Sequence, residues 1–321
     1  MQSILNRVLL AISAAITVLD GCWLVAGRFQ YDAHNYGLLF LLMLPLAGGA
    51  AYYGKVRRDA ALSALFACAA FLVVFSAGAS LLSYLLVTIA GPRIDFLLAS
   101  ADHAIGFDWP SLMGIVARHP SANTMLKLAY VSVMPQTLVL LLALGWRRRV
   151  EELYRLSLAL SAGAVITLAV WTLAPSFGAF SVFTLPDAVA GKLGLVLGFD
   201  YGHALVQMLK DGPGFISPSE LRGIVGFPSY HTLQALVLTW YARGLKGFRW
   251  PAILLNLAVL VSIPVQGGHH LVDMFGGMAV TVVSIAVAGW VVSAAARRGA
   301  APAQGAIAMP PEPGADALAA G

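Results

Sequence analysis

Charge is scarce in this sequence. Of 321 residues, 20 are Lys or Arg and 15 are Asp or Glu, together 11%. Soluble domains carry about 25%, so half the usual solvating surface is missing. With 59% of residues hydrophobic and a mean hydropathy of +0.81, a water-soluble globular domain and a disordered chain are both excluded. Cysteine is scarce as well: only Cys22 and Cys68 occur, both within apolar stretches, which excludes a disulfide scaffold and says nothing of the redox compartment. No internal repeat is visible. What the sequence does have is long apolar runs.

A membrane helix needs about 20 mostly apolar residues to cross about 30 Å of hydrocarbon. Eight stretches qualify: 4–26, 36–54, 60–90, 125–145, 154–174, 229–244, 251–267 and 269–295. The first has an apolar run longer than a signal-peptide core and lacks a small-x-small cleavage site, so it reads as an anchor. The sixth is the shortest. Basic residues set the orientation. With the N-terminus inside, one side receives Arg7, Lys55, Arg57, Arg58, Arg147 to Arg149, Arg155, Arg243, Lys246, Arg249, Arg297 and Arg298, which is 13 of the 20. The other seven are spread over longer loops. The net charge of +5 therefore caps cytoplasmic helix ends and does not point to nucleic acid.

The expected fold is an all-α integral membrane protein of about eight transmembrane helices. Residues 1–90 form N-terminal membrane helices, 91–295 a membrane-embedded core, and 296–321 a disordered tail rich in Ala, Pro and Gly. Two long outward segments, 91–124 and 175–228, mix apolar runs with Pro, Gly, Asp and His, as interfacial helices covering a site would. Asp20, in the outward half of the first span, reads as an interfacial residue. Pro135 and Pro175 are expected to kink or end helices.

Two polar clusters interrupt the apolar background: Gly226-Phe-Pro-Ser-Tyr-His-Thr232 and Gly267-Gly-His-His-Leu-Val-Asp273. One helix down, a basic turn and one helix back take about 40 residues, and His231 and His269 are 38 positions apart. Both histidines therefore sit at the outer ends of neighbouring helices. Ser229 is a good N-cap for the helix carrying His231, and a helix N-terminus offers unpaired N–H groups to a phosphate. His269 and Asp273 are i and i+4, on one helical face. A carboxylate there can hold one imidazole nitrogen and leave the other as a nucleophile. His270, at i+3 from Asp273, reads first as a residue that packs or contacts lipid headgroups, and second as a rival nucleophile. A metal site built from His231, His269 and Asp273 is a competing reading, and a transporter or scaffold with a degenerate site is another. The expected cofactor requirement is none.

At these residues the chain resembles the type 2 phosphatidic acid phosphatase superfamily, which pairs P-S-x-H with H-x-x-x-D one helical hairpin later. Here these are Pro228-Ser229-Tyr230-His231 and His269-His-Leu-Val-Asp273. The form Phe-Pro-Ser-x-His-Thr with Gly-His-His-x-x-Asp is most similar to the branch around inositol phosphorylceramide synthase and sphingomyelin synthase. Asp95-Phe-Leu-Leu, Asp102-His and Gly106-Phe-Asp-Trp-Pro110 resemble bacterial members of that branch more weakly.

The resemblance implies a six-helix phosphatase-like core in which His269 forms a phosphohistidine. Asp273 would orient it, His231 would protonate the leaving oxygen, and Ser229 with following amides would bind phosphoryl oxygens, without a metal. Substrates would be a lipid phosphate or phospholipid, with a lipid alcohol such as ceramide or diacylglycerol as possible acceptor. The family's S-R-x5-H and K-x6-R-P motifs are absent: Ser262 is followed by Ile263, and Arg-Pro never occurs. Phosphoryl transfer leans on fixed positive charge, so Arg222 and Arg93 are the candidate substitutes. Their loss favours the synthase-like branch over a plain phosphatase. Tyr230 fills a position that is often Gly in phosphatases. Short loops and 32 glycines, with abundant alanine, suggest a bacterial inner membrane with the site on its periplasmic face.

Overall fold

A computed structural model describes residues 1–219 and 223–300. The chain is an all-α membrane protein of thirteen helices among those residues. They are α1 (Gln2–Gly27), α2 (Ala33–Lys55), α3 (Ala60–Leu86), α4 (Asp95–Ala104), α5 (Trp109–Ala117), α6 (Pro120–Val131), α7 (Val133–Trp146), α8 (Val150–Leu173), α9 (Asp187–Ala190), α10 (Phe199–Asp211), α11 (Tyr230–Ala242), α12 (Arg249–Gln266) and α13 (Leu271–Ala300).

Six helices (α1, α2, α3, α8, α12 and α13) are long and apolar enough to cross a bilayer, and the pair α6–α7, bent by 46°, makes a seventh if taken as one span. The bend has a local cause. Pro135 in the first turn of α7 has no N–H for the carbonyl of Val131, the last residue of α6. The remaining expected span, 229–244, is α11, whose 13 residues cover only about 20 Å at 1.5 Å per residue. Pro175 ends α8, with Ala174 before it outside the helical region (φ −143, ψ 70). The helix α13 runs on to Ala300, past the boundary drawn at 295, and the rest of the proposed tail lies outside the described residues.

The helix α8 is the hub. Its faces pack on α3, α7, α11 and α13, and Tyr154, Ala159 and Trp171 along it are fully buried. By contrast, α2 packs chiefly on α3 and buries only Tyr36. The two outward segments contain short helices, α4 and α5 in the first and α9 and α10 in the second.

Contacts between turns confirm that the basic ends share one face of the bundle. Arg148 in the α7–α8 turn pairs with Asp59 before α3 at 3.1 Å, and Gln2 Nε2 donates to the Ala60 carbonyl at 3.2 Å. Gly244 after α11 adjoins Arg149, and Gly299 adjoins Met1. The polar clusters lie at the other end. There, residues 212–219 form a strap: the amide of Ile216 donates to the Gln30 carbonyl at 3.0 Å and that of Asp32 to the Ile216 carbonyl at 2.9 Å. Asp32 caps α2 and takes the Ser217 hydroxyl at 2.8 Å. The Asn35 amide, then that hydroxyl, hold its carboxyl below the usual carboxylate range.

Candidate active site

The second cluster does not continue a helix, as the i, i+4 spacing suggests; it is a sharp turn between two. Helix α12 ends at Gln266, Gly268 takes a left-handed backbone (φ +60), and α13 begins only at Leu271. A side chain on Gly268 would overlap the Phe180 ring. The close approach is used: the Ala179 amide donates to the Gly268 carbonyl. We expect Gly268→Ala to lower stability by about 2–4 kcal/mol, from left-handed strain plus overpacking. A fall in thermal midpoint with loss of activity checks this.

With the chain so turned, Asp273 occupies the third position of α13, and its buried carboxylate reaches back. Its Oδ2 accepts from the His270 amide at 2.9 Å, as in a capping box. The same oxygen meets His269 Nδ1 at 3.1 Å. The spacing argument brought the right two residues together, through a different backbone. With Nδ1 donating to the carboxylate, Nε2 is the ring nitrogen left for chemistry.

His269 lines a cavity of about 400 Å³, with His231, Tyr130, Phe180, Gly267 and the segment Gly223–Gly226 on its walls. His231 enters from the second residue of α11. Its ring stacks on Tyr130, centroids 4.3 Å apart and 17° between planes. The two motif histidines therefore face one cavity, as their spacing predicts. Ser229 is the N-cap of α11 as expected, its Oγ accepting from the Thr232 amide at 3.3 Å. It is fully buried, though, and does not line the cavity. Its own amide donates to the Asp273 carbonyl at 2.9 Å, tying the starts of α11 and α13 together.

The other expected residues are placed elsewhere. The Tyr230 hydroxyl donates to the Leu160 carbonyl at 3.1 Å, toward α8 and away from the cavity. His270 is fully buried, and its Nδ1 meets Asp102 Oδ2 at 3.2 Å. Arg93 is not on the cavity wall. Its guanidinium bonds Asp95 at 2.8 Å and the Ser181 hydroxyl at 2.7 Å. Arg222 lies outside the described residues, next in sequence to the cavity residue Gly223. Among the described residues no Lys or Arg lines the cavity, and no group of three or more His, Cys, Asp or Glu is placed to hold a metal ion.

Three supports lie in the stretches of weaker resemblance, which gave them no role. Asp102, from α4, accepts the first two amides of α13, those of Leu271 and Val272, each at 3.0 Å. It caps the helix from another helix, a role that the resemblance of Asp102-His did not reveal. Asp95, also on α4 and fully buried, accepts Ser176 Oγ at 2.9 Å and the amides of Phe177 and Gly178 at 2.8 and 3.0 Å. This fixes the loop that grips Gly268. Trp109 Nε1 donates to the Pro264 carbonyl at 2.8 Å, satisfying an acceptor at the end of α12.

A search of curated proteins finds no match, and neither does a search of solved structures. A family model described as the PAP2 superfamily matches residues 97–287. That stretch is more than half of the chain and contains both histidines of the cavity, their carboxylate and the helix-capping Asp102. The chain thus belongs to the PAP2 superfamily, as a membrane enzyme of the phosphatase and phosphotransferase type acting on lipid phosphates.

Proposed function

We propose that the chain transfers or hydrolyses a phosphate-bearing lipid headgroup through a phosphohistidine on His269. One observation carries this reading: the His269 ring, held by a buried carboxylate at 3.1 Å, faces the same cavity as His231. His269 Nε2 attacks phosphorus, the bond to the leaving oxygen breaks, and His231 protonates that oxygen. A water or lipid hydroxyl then attacks the phosphohistidine, His231 takes its proton, and the ring of His269 is freed. Asp273 keeps the Nδ1 proton in place and balances the cationic ring of the intermediate. The first amides of α11 receive phosphoryl oxygens at the positive end of the helix, with Ser229 preparing that terminus as its cap.

Arg222 is the cation we assign to the equatorial oxygens, since Arg93 is committed to Asp95. Arg222→Ala should lower kcat/KM about 100-fold, the scale of one lost donor to a transition-state oxyanion, while the fold persists. An unchanged kcat/KM would remove that assignment.

The likeness of Phe227-Pro-Ser-Tyr-His-Thr232 and Gly268-His-His-Leu-Val-Asp273 to the inositol phosphorylceramide and sphingomyelin synthase branch favours transfer to a lipid alcohol, ceramide or diacylglycerol, on the non-cytoplasmic face of a bacterial inner membrane. The second reading, a plain lipid phosphate phosphatase, uses the same intermediate with water as acceptor. Purified protein in mixed micelles, given labelled phosphatidic acid, phosphatidylinositol and phosphatidylethanolamine with and without ceramide, in chelator, separates them. A headgroup-bearing acceptor product establishes transfer. Free phosphate alone makes the protein a hydrolase. Activity abolished by the chelator would sink the metal-independent mechanism.

A further inference from the structure

The N-terminal helices α1–α3 lie outside the matched residues 97–287, and they enclose a second cavity, of about 170 Å³. Helices α1 and α2 each pack on α3, and the cavity lies among the three. Its walls are apolar, from Leu24, Leu39, Val73 and Leu81 among others, apart from a few groups. Asp20 is one. It does not face the interface, as its sequence position suggests, but is 4% exposed, lines the cavity, and its Oδ1 has no hydrogen-bond partner. Tyr36 is another, 8% exposed, with a buried hydroxyl that is also unpartnered. Among the described residues Asp20 makes no ion pair.

A carboxyl oxygen and a hydroxyl left without partners in an apolar chamber at membrane depth are expensive, and such groups are usually there to meet something. The chemistry of the walls says what. Tyr31, Tyr36 and Phe40 line the same cavity as the acid, with Tyr31 and Tyr36 edge to face at 6.4 Å. Rings and a carboxylate together attract an organic cation. No Lys, Arg or His lines the cavity, so a phosphate attached to that cation would be buried without a counter-charge. Asp20 lies seven residues before the outer end of α1 at Gly27, about 10 Å along the axis at 1.5 Å per residue. Tyr31, 44% exposed, marks the outer mouth.

We propose that this cavity is a binding site for a lipophilic primary amine without a phosphate. The ammonium pairs with Asp20 and Tyr36 beneath the aromatic rings, and the alkyl chain runs among the apolar walls of α1, α2 and α3. The strap at Ile216 packs against Leu24, Tyr36 and Leu81 of this group and continues in sequence toward Gly223 on the wall of the histidine cavity. The site is independent of the reaction assigned to His269.

Native mass spectrometry of the full-length protein in nonionic detergent, with dodecylamine, dodecanol and phosphatidylethanolamine as probes, tests the proposal. Dodecylamine should bind the wild type at least tenfold more tightly than either other probe. Asp20→Asn, close to isosteric, should weaken it at least tenfold, and Tyr36→Phe severalfold. Gly21 lines the cavity with open space where its side chain would be. Gly21→Leu should therefore fill the chamber and abolish binding while leaving the acid and the helix intact. Equal binding of dodecanol, or full dodecylamine binding by a folded Asp20→Asn or Gly21→Leu protein, would overturn the site. Equal binding of phosphatidylethanolamine would overturn the exclusion of phosphate.

Discussion

Replacing His269 by alanine is expected to lower turnover by about four orders of magnitude or more, the scale seen when a covalent nucleophile is removed, with the fold intact. The side chain's one hydrogen bond is to Asp273, whose same oxygen keeps the His270 amide, so its removal costs about 1–3 kcal/mol, the scale of one buried bond, and the fold persists. The rate and the melting curve should therefore separate cleanly. His231→Ala gives a different signature. Loss of a general acid costs about 10²- to 10⁴-fold, but an aryl phosphate, whose leaving group needs no proton, should still phosphorylate His269. Attack by water would then lack its base, and acid-labile phosphoenzyme should accumulate. Were His269→Ala to retain its rate while a folded His270→Ala variant lost it, the nucleophile would be the neighbouring ring.

Geometry argues against that outcome. The two adjacent histidines each hold an aspartate, at 3.1 Å for His269 and 3.2 Å for His270, so pairing alone does not distinguish them. Burial does. His270 Nε2 is enclosed with no partner, and its ring lies edge to face with Phe183 at 6.5 Å. Nor does it line the cavity that His269 and His231 share.

The membrane class, the clustering of the basic turns and the facing of His231 and His269 were legible in the sequence, because each follows from a period or a length. Hydropathy marks a span, and 38 residues bring the chain back to the same face. Ser229 could be recognised as an N-cap because capping depends on the local chain alone. What was not legible depends on contacts distant in sequence. Arg93 looks like a free cation, although Asp95 stands two residues on, until Ser181, 88 positions away, fixes the guanidinium between them. Tyr230 looks like a substrate contact until α8 offers it the Leu160 carbonyl. The His269–Asp273 pair shows the limit in a single turn: spacing identified the partners, but a glycine with positive φ put the first histidine outside the helix that the spacing implied.

Asp102 carries the second large effect, and it should appear in stability before chemistry. Its carboxylate accepts the Leu271 and Val272 amides and meets the His270 ring, three buried or half-buried donors gathered on one side chain. Leaving a buried donor without an acceptor costs about 1–3 kcal/mol each, and the Leu271 and Val272 amides are only half-buried, so Asp102→Ala should destabilise the fold by about 3–6 kcal/mol. Asp102→Asn keeps one acceptor oxygen and should cost about half as much. Because these amides open α13, the disturbance passes to Asp273 one residue on, and through it to His269. Activity should therefore fall in kcat with KM little changed, in step with the lost melting temperature across the two variants. Equal stability of Asp102→Ala and the wild type would remove its role as a cap. A stable but inactive variant would instead place the carboxylate in the reaction itself, close enough to the phosphoryl group to be felt there directly.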